Sequence, residues 1–169
     1  MVQTPAPFPM ARPRRNRRTD WIRDLTRENE LSVNDLIWPV FVRDGDDVME
    51  PVQSMPGVNR MSVSRVVEAA NDAANVGIPV IAVFPYTDPS NKTPAAEEAW
   101  NPNNLVNRAT RAIKKQVPDI GVMLDVALDP YNSDGHDGIV RDGVILNDET
   151  LVALEKQTLV QAEAGADIL

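Results

Sequence analysis

The sequence predicts an α/β fold built on a parallel β-sheet. Apolar stretches with the composition of strands recur at roughly forty-residue spacing, which leaves room for a helix between each pair. They are residues 36–42, 78–84, 120–128 and, as a strand just beginning, 166–169. Units of this length suit a (β/α)₈ barrel, which needs about 250 residues and eight strands. We therefore expect about the first half of such a barrel, with an open doubly wound sheet as the alternative.

The N-terminal part of the chain is predicted to be an extended arm followed by a short helix. Residues 1–19 are rich in proline and arginine, a composition typical of extended segments. A helix is expected over residues 20–29. The predicted domains are thus the arm, 1–19, and the half-barrel, 20–169. Within the first strand, Pro39 lacks the N–H that a sheet ladder uses, so it disfavours a central position for that strand.

Three longer helices are predicted from their polar caps, their apolar periodicity and their glycine or proline stops. The second of them is expected to start with Asn101 as its N-cap and Pro102 at its first helical position. Gly77 and Gly165 suit the ends of the first and third. These helices are expected over residues 62–76, 101–117 and 147–164.

Charge and composition narrow the possible partners and compartments. The net charge is −8, but residues 1–20 carry +4 and the remainder carries −12. A basic arm on an acidic body, with few aromatic residues, favours docking on an acidic neighbouring subunit over binding nucleic acid. The chain has no cysteine, no apolar run of the roughly 20 residues that a membrane span needs, and no secretory signal at its start. We therefore expect a cytoplasmic protein with no membrane partner.

Residues 125–138, called the acidic loop below, carry the densest chemistry of the chain. A buried strand is expected to lead directly into this turn-rich segment. Acidic side chains on a loop at the end of a buried strand are typical of the site of an α/β protein. The ionisable residues of the loop are Asp125, Asp129, Asp134, Asp137 and the only histidine of the chain, His136.

The acidic loop resembles the 5-aminolevulinate dehydratases, also called porphobilinogen synthases. Its pattern is Asp-Val-x-Leu-x-Pro-Tyr-x-Ser-x-Gly-His-x-Gly. The likeness covers nearly all of residues 10–169. Other segments that match in the family's order are residues 12–15 (Arg-Pro-Arg-Arg), 36–42, 54–57 (Ser-Met-Pro-Gly), 84–85, 101–105, 141–150 and 161–167.

The resemblance implies a barrel whose N-terminal arm embraces a neighbour, generally in a homo-octamer built of dimers. It also implies the condensation of two molecules of 5-aminolevulinate to porphobilinogen, with loss of water, in tetrapyrrole and heme biosynthesis. The family's two lysines at the reaction centre, at least one of which forms a Schiff base, come from the second half of the barrel. No Schiff-base lysine is therefore expected among these 169 residues, and this chain alone is expected to be an inactive lyase.

The resemblance assigns roles to three aspartates. Asp125 is the best candidate for direct catalysis, as a proton acceptor or as the group that holds the substrate ammonium. Zinc-using relatives carry cysteines at the positions of Ala127, Asp129 and Asp137, so this chain resembles the aspartate-rich branch. Asp129 and Asp137 are expected to bind the substrate amine or a hard cation such as Mg²⁺, whereas Zn²⁺ is disfavoured. Magnesium stimulation in that branch often uses a separate site between subunits.

The remaining residues of the loop have weaker predictions. Tyr131 and Ser133 are candidate pocket-lining residues, although Tyr131 also suits packing on the barrel rim. His136 is a pocket candidate too, and its neighbours favour a role in orienting the loop through hydrogen bonds. Asp134 is interpreted as a turn residue, as is Asp88 in the loop after the second strand.

Two other functions stay open from the sequence. One is a different Mg²⁺-dependent barrel lyase acting on phosphate or enolate substrates, although no Walker-type glycine-rich loop is present. The other is a non-catalytic fragment or interaction piece, favoured by the missing lysines and the arm. Lys92 follows the second strand on the expected catalytic side, but it matches no catalytic position of the family.

Overall fold

The computed structural model describes residues 6–169, and the chain divides into two compact units. The first unit ends at Ser32. It contains a 3₁₀ turn over Pro13–Arg17 and the helix α1, Asp20–Leu25. The predicted arm is therefore not extended throughout, because Pro13 presets the backbone for a helical turn. Residues 1–5 of that arm lie outside the described residues. The helix ends at Leu25, before the predicted residue 29, and both the N–H and the hydroxyl of Thr26 donate to the carbonyl of Ile22 in its last turn.

The second unit, Val33–Leu169, contains an α/β fold in which strands and helices alternate. Its helices are α2 (Val63–Asn75), α3 (Leu105–Gln116) and α4 (Asn147–Ala164). Its strands are β1 (Ile37–Arg43), β2 (Met49–Pro51), β3 (Asn59–Met61), β4 (Val80–Tyr86), β5 (Gly121–Leu124), β6 (Val140–Arg141) and β7 (Val144–Ile145). No helix among residues 6–169 is both long enough and apolar enough to cross a membrane.

The main sheet has the strand order β2-β3-β1-β4-β5. Strands β1, β4 and β5 are parallel neighbours, which confirms the predicted α/β class. Beyond β5, Met123 forms a parallel bridge with Ile168, where a fourth strand was predicted to begin. Strands β6 and β7 form a separate antiparallel pair.

Strand β1 lies inside the sheet, so the prediction that Pro39 disfavours a central position is wrong. β4 pairs with β1 along Ile37–Arg43, but β3 pairs only with Phe41 and Val42. At Pro39, therefore, β1 has a neighbour on one side only. The missing proline N–H is tolerated there as it is on an edge strand.

The core lies between one face of the sheet and the helices α2 and α3. Alternate residues of each strand point into it, as the period of two requires. The central members are Val40, Val42, Ile81, Val83, Val122 and Leu124 from the strands with Val66, Ala70, Ala73, Val106, Ala109 and Ile113 from the helices. The intervening side chains are more accessible, and the rings of Phe41 and Phe84 lie 6.1 Å apart.

Helix α3 starts later than predicted. Asn104, not Asn101, is its N-cap, and the Asn104 side chain accepts a hydrogen bond from the N–H of Asn107. Asn101 uses its side-chain oxygen to accept from the N–H of Asn103 in the preceding turn. The sequence offers two asparagines that can cap a helix, and the hydrogen bonds select the second one.

Candidate active site

The candidate site lies where the chain leaves the carboxyl ends of β4 and β5. These strands are parallel neighbours, with Val80 paired to Gly121 and Val83 paired to Leu124, so their carboxyl ends share one edge of the sheet. One loop from that edge carries Lys92, and the other is the acidic loop. Ligands of parallel α/β proteins bind outside this edge of the sheet.

Two glutamines of α4 explain why β5 ends at Leu124 instead of continuing to Leu128 as predicted. Gln157 and Gln161 are fully buried. The Gln161 amide donates to the carbonyl of Asp125 at 3.1 Å, and the Gln157 amide donates to the carbonyls of Asp125 at 3.4 Å and Ala127 at 3.1 Å. These side chains satisfy backbone acceptors that a longer strand would have to satisfy by pairing.

Asn132 organises the middle of the acidic loop. It is completely buried, although it lies in a turn-rich segment. Its side-chain N–H donates to the carbonyl of Gly138 at 3.2 Å, and its side-chain oxygen accepts from the N–H of Asp134 at 2.7 Å. One amide thus closes the loop on itself. Sequence reasoning missed Asn132, although an asparagine within a turn sequence is a recognisable signal.

The end of the acidic loop is fixed to the start of α4. The N–H of Ile139 donates to the hydroxyl of Thr150 at 2.9 Å. Gly138 lies so close to β7 and α4 that a Cβ atom on it would come within 2.9 Å of the Ile145 side chain and 3.2 Å of the Thr150 hydroxyl. Glycine suits this position because the loop approaches both elements closely.

The charges of Asp125 and Asp137, two of the aspartates singled out by the sequence, act on the third, Asp129. Asp125 was predicted to lie within the strand over residues 120–128. In the structure it is exposed and comes directly after Leu124, the last residue of β5. Asp129 is half-buried and Asp137 is exposed. Burial is the main cause that raises the pKa of Asp129, and the charges of Asp137 and Asp125 raise it further. The acidic loop is therefore a concentrated negative site that is complementary to an amine or cation.

Lys92 follows the second strand on the expected catalytic side, and it contacts the acidic loop in a way that sequence reasoning did not predict. Its side chain is half-buried, and Nζ donates to the backbone carbonyl of Asp129 across 3.4 Å. Its positive charge lowers the pKa of Asp129, against the two aspartate charges. The contact joins residues from loops that follow different strands, so no local pattern could reveal it.

The other predicted residues occupy distinct places. Tyr131 is buried beneath the loop with Leu128, and burial is the main cause that raises its pKa far above the usual range, so it packs instead of lining an open pocket. Ser133 is exposed and donates its backbone N–H to the carbonyl of Thr93. His136 is exposed, and its Nδ1 accepts from the N–H of Gly138 at 3.1 Å, which is a loop-orienting contact.

The two acids interpreted as turn residues make turn contacts. The backbone N–H of Asp134 bonds to Asn132, while its side chain is exposed. The Asp88 carboxylate accepts from both the N–H and the hydroxyl of Ser90, and the hydroxyl is the main cause that lowers the pKa of Asp88. Neither contact places these acids in the candidate site.

The acidic loop does not provide the three converging side-chain donors of a closed metal site. Within the described part of the chain, no three histidine, cysteine, aspartate or glutamate side chains converge closely enough to coordinate an ion together. The charge of Asp137 raises the pKa of Asp129, but Ala127 supplies no side-chain donor. The charges of these aspartates suit contact with a cationic ligand.

Fold and site together define a class: an α/β protein that presents a carboxylate-rich loop, shaped to receive an amine or cation, at the carboxyl edge of a parallel sheet. Residues 10–169 match the family model described as delta-aminolevulinic acid dehydratase. The chain belongs to the delta-aminolevulinic acid dehydratase family.

Relatives and a solved structure agree with this assignment. The chain is 58% identical over 158 residues to the delta-aminolevulinic acid dehydratase of Bradyrhizobium diazoefficiens, covering 94% of this chain and 45% of the relative. It is 51% identical to that of Rhodobacter capsulatus, covering 96% and 49%. The Toxoplasma gondii ME49 enzyme, solved in complex with its product porphobilinogen, superposes with a TM-score of 0.87 at 43% identity over 93% of this chain and 45% of that one. The chain thus spans slightly less than half the length of these relatives.

Proposed function

We propose that this chain is part of a porphobilinogen synthase, a lyase that condenses two molecules of 5-aminolevulinate to porphobilinogen with loss of water in tetrapyrrole and heme biosynthesis. The observation that carries the proposal is the acidic loop at the carboxyl edge of the sheet, where Asp125, Asp129 and Asp137 form one negative site. The family membership and the product-bound relative support the same reaction.

The substrate explains why such a loop is useful. 5-Aminolevulinate carries an amine, a ketone and a carboxylate, and a cluster of aspartates is complementary to its amine end. We assign Asp125 to the chemistry, because it is exposed at the strand end and can accept a proton or hold the ammonium. Asp129 and Asp137 hold the amine in place.

The electrophilic half of the reaction requires a lysine that forms a Schiff base with the substrate ketone. The lysines of this chain match no catalytic position of the family, and Lys115 is a solvent-exposed residue of α3. We therefore propose that residues 1–169 supply one wall of the site. By themselves they should not catalyse the condensation.

The fold supports a barrel as the larger architecture. Strands β1, β4 and β5 follow one another in parallel order, and Ile168 pairs beyond β5 as the next strand would. Phe41 and Phe84 form an apolar layer on the face away from α2 and α3, as the interior of a (β/α)₈ barrel requires. We propose that residues 20–169 form the first half of this barrel, with residues 1–19 as an arm that docks on a neighbour in a cytoplasmic homo-octamer.

Magnesium enters the proposal as an activator that acts away from the acidic loop, where no three side-chain donors of the described residues converge. Zinc is not part of the proposal, because the chain has no thiolate to bind it. Activity measured after chelation should return with added Mg²⁺. Recovery with Zn²⁺ alone would contradict this assignment.

The decisive experiment uses protein expressed from the complete reading frame. Incubation with 5-aminolevulinate should yield porphobilinogen, which an aromatic aldehyde reagent detects by colour. Borohydride added during turnover should trap a substrate adduct on a lysine, and mass spectrometry should locate it outside residues 1–169. A folded, complete protein that forms neither product nor adduct would overturn the proposed function. Light scattering on the same sample tests the octamer.

A further inference from the structure

Lys92 is held in a defined place next to the acidic loop. Its own N–H donates to the carbonyl of Pro89 at 3.2 Å. The next residue, Thr93, donates its N–H to the carbonyl of Tyr131 at 3.1 Å and accepts at its carbonyl from the N–H of Ser133 at 3.0 Å. These two backbone bonds of Thr93 connect the loop that carries Lys92 to the acidic loop. We therefore expect Lys92 and the acidic loop to move together.

The ammonium of Lys92 lies against the backbone of Asp129, whose carboxylate and those of Asp125 and Asp137 form no ion pair within residues 6–169. Lys92 Nζ lies 3.4 Å from the carbonyl oxygen of Asp129, and its charge lowers the pKa of the Asp129 carboxyl, whereas the charges of Asp137 and Asp125 raise it. A lysine ammonium is a compact positive charge with three donors, which suits several oxygens at once.

We propose that Lys92 is a positioning residue that serves as the built-in cation of the acidic loop. It balances the charge of Asp129, Asp125 and Asp137, where no three side-chain donors of the described residues converge on a metal ion. Asp125 then stays close to Asp129 and Asp137 but remains exposed for the substrate amine. This inference rests on the proposed function, because it treats the loop as the amine-binding wall of the site.

The kinetic test compares three variants of the protein from the complete reading frame. Lys92→Met should lower kcat/KM for 5-aminolevulinate roughly tenfold, as expected for the loss of one charged contact. Lys92→Arg, which keeps the charge, should stay within about threefold of the wild type. Lys115→Met is the matched control, because Lys115 is an exposed residue of α3, and it should behave as the wild type.

Chemical rescue separates the charge of Lys92 from its packing. Lys92→Ala should regain part of its kcat/KM when propylammonium is added, because the small cation can enter the space that the side chain leaves. Propanol at the same concentration is the control and should restore nothing. Rescue by both molecules, or by neither in a folded variant, contradicts a charge-balancing role.

Binding of a small organic cation gives a readout that does not depend on turnover. Calorimetric titration with propylammonium should show several-fold tighter binding to Lys92→Met than to the wild type, because the loop has lost a positive charge. Adding Asp129→Asn to that variant should cancel the gain. Equal propylammonium affinity in Lys92→Met and wild type would overturn the inference.

The outcomes separate this inference from the proposed function. If the wild type makes no porphobilinogen, the proposed function fails, and the propylammonium titration alone judges Lys92. If circular dichroism shows that Lys92→Met does not fold, the kcat/KM of Lys92→Arg is the deciding measurement. A folded arginine variant that has lost its activity shows that the charge of Lys92 is not what matters.

Discussion

The sheet core and the acidic loop are stabilised in different ways. In the core, apolar side chains from β1, β4, β5, α2 and α3 share one continuous interior, and each is buried by several neighbours. In the loop, single polar side chains such as Gln161, Asn132 and Thr150 each hold one or two backbone groups. Core packing is redundant, whereas the loop depends on a few directed bonds. Changes in the core should therefore affect stability, and changes in the loop should affect activity.

The largest effect is expected from Asp125→Asn in the protein from the complete reading frame. Turnover should fall roughly 10²–10⁴-fold, the usual contribution of a positioned acid or base. The melting temperature should not change, because the exposed Asp125 side chain makes no bond on which the fold depends, and its carbonyl remains bonded to Gln161. The steady-state rate of porphobilinogen formation is the measurement.

Asp134→Asn is the control for that variant. Asp134 lies in the same loop and is exposed, and the substitution removes the same charge. Its backbone bond to Asn132 is retained, so activity should remain near that of the wild type. An equal loss in both variants would mean that total loop charge matters and that Asp125 has no individual role.

The second prediction tests the core side of the comparison. Ile81→Ala should lower the free energy of unfolding by about 2–5 kcal/mol, because Ile81 is fully buried on the core face of β4 and truncating its side chain leaves a cavity. The kcat of the molecules that remain folded should be close to the wild-type value. Urea unfolding followed by circular dichroism measures the change. Val144→Ala is the control, since Val144 is 61% exposed, and it should change stability little.

A third variant, Gln157→Leu, should weaken both properties because Gln157 joins the loop to α4. Loss of its bonds to the carbonyls of Asp125 and Ala127 should lower the free energy of unfolding by about 1–2 kcal/mol. The loss is limited because the side-chain oxygen of Gln157 is buried without a partner, and leucine removes that unsatisfied acceptor. Turnover should fall as well, since the backbone at Asp125 is then held by Gln161 alone.

The exposed Gln116, in the last position of α3, supplies the control for that variant. Gln116→Leu makes the same chemical change without touching the loop, so stability and turnover should both stay near wild-type values. If Gln157→Leu lowers stability and leaves turnover intact, the glutamine supports the fold but does not position Asp125.

Much of the core could be predicted because its signals are local. The apolar stretches that form β1 and β4, and the glycine that ends α4, each act within a few residues. Gly165 adopts the left-handed conformation expected of a helix stop, with φ of 101°. The errors in this region also have local causes: two asparagines compete to cap α3, and Pro39 lies beside a gap in the strand pairing.

The loop was harder to predict because its structure depends on distant partners. The sequence indicated which residues carry charge, but the end of β5 is set by Gln157 and Gln161, which lie far along the chain on α4. A mid-helix glutamine has no signal that distinguishes a buried donor from a surface residue. The contact of Lys92 with Asp129 likewise depends on how two loops meet. Motif and composition can identify such a loop, whereas its supporting contacts require the fold.

The smallest effect concerns a polar contact on the sheet side, Asp167→Asn. The Asp167 carboxylate accepts from the N–H of Val122 at 2.8 Å and pairs with Lys114 at 3.0 Å. The Val122 N–H is the main cause that lowers the pKa of Asp167, with Lys114 contributing, so the ionised form stabilises the folded state. That stabilisation is present above about pH 4 and is lost as the pH falls through the lower folded pKa. Because 42% of this side chain is exposed, we expect less than about 1 kcal/mol.

Urea midpoints of wild type and Asp167→Asn, measured from about pH 7 down to about pH 1.5, test this contact. The two proteins should differ at neutral pH and converge at the acidic end, as the pH falls below the lowered folded pKa of Asp167. Asp119→Asn, an exposed acid in the turn before β5, should show no such difference at any pH. A difference that does not shrink anywhere in this range would show that packing of the Asp167 side chain, and not its charge, stabilises the sheet edge. Such a persistent difference would mean that the sheet edge at Asp167 is stabilised by packing, as the core is. Convergence of the two urea midpoints at low pH would mean that directed polar bonds, like those of the acidic loop, also stabilise the sheet edge.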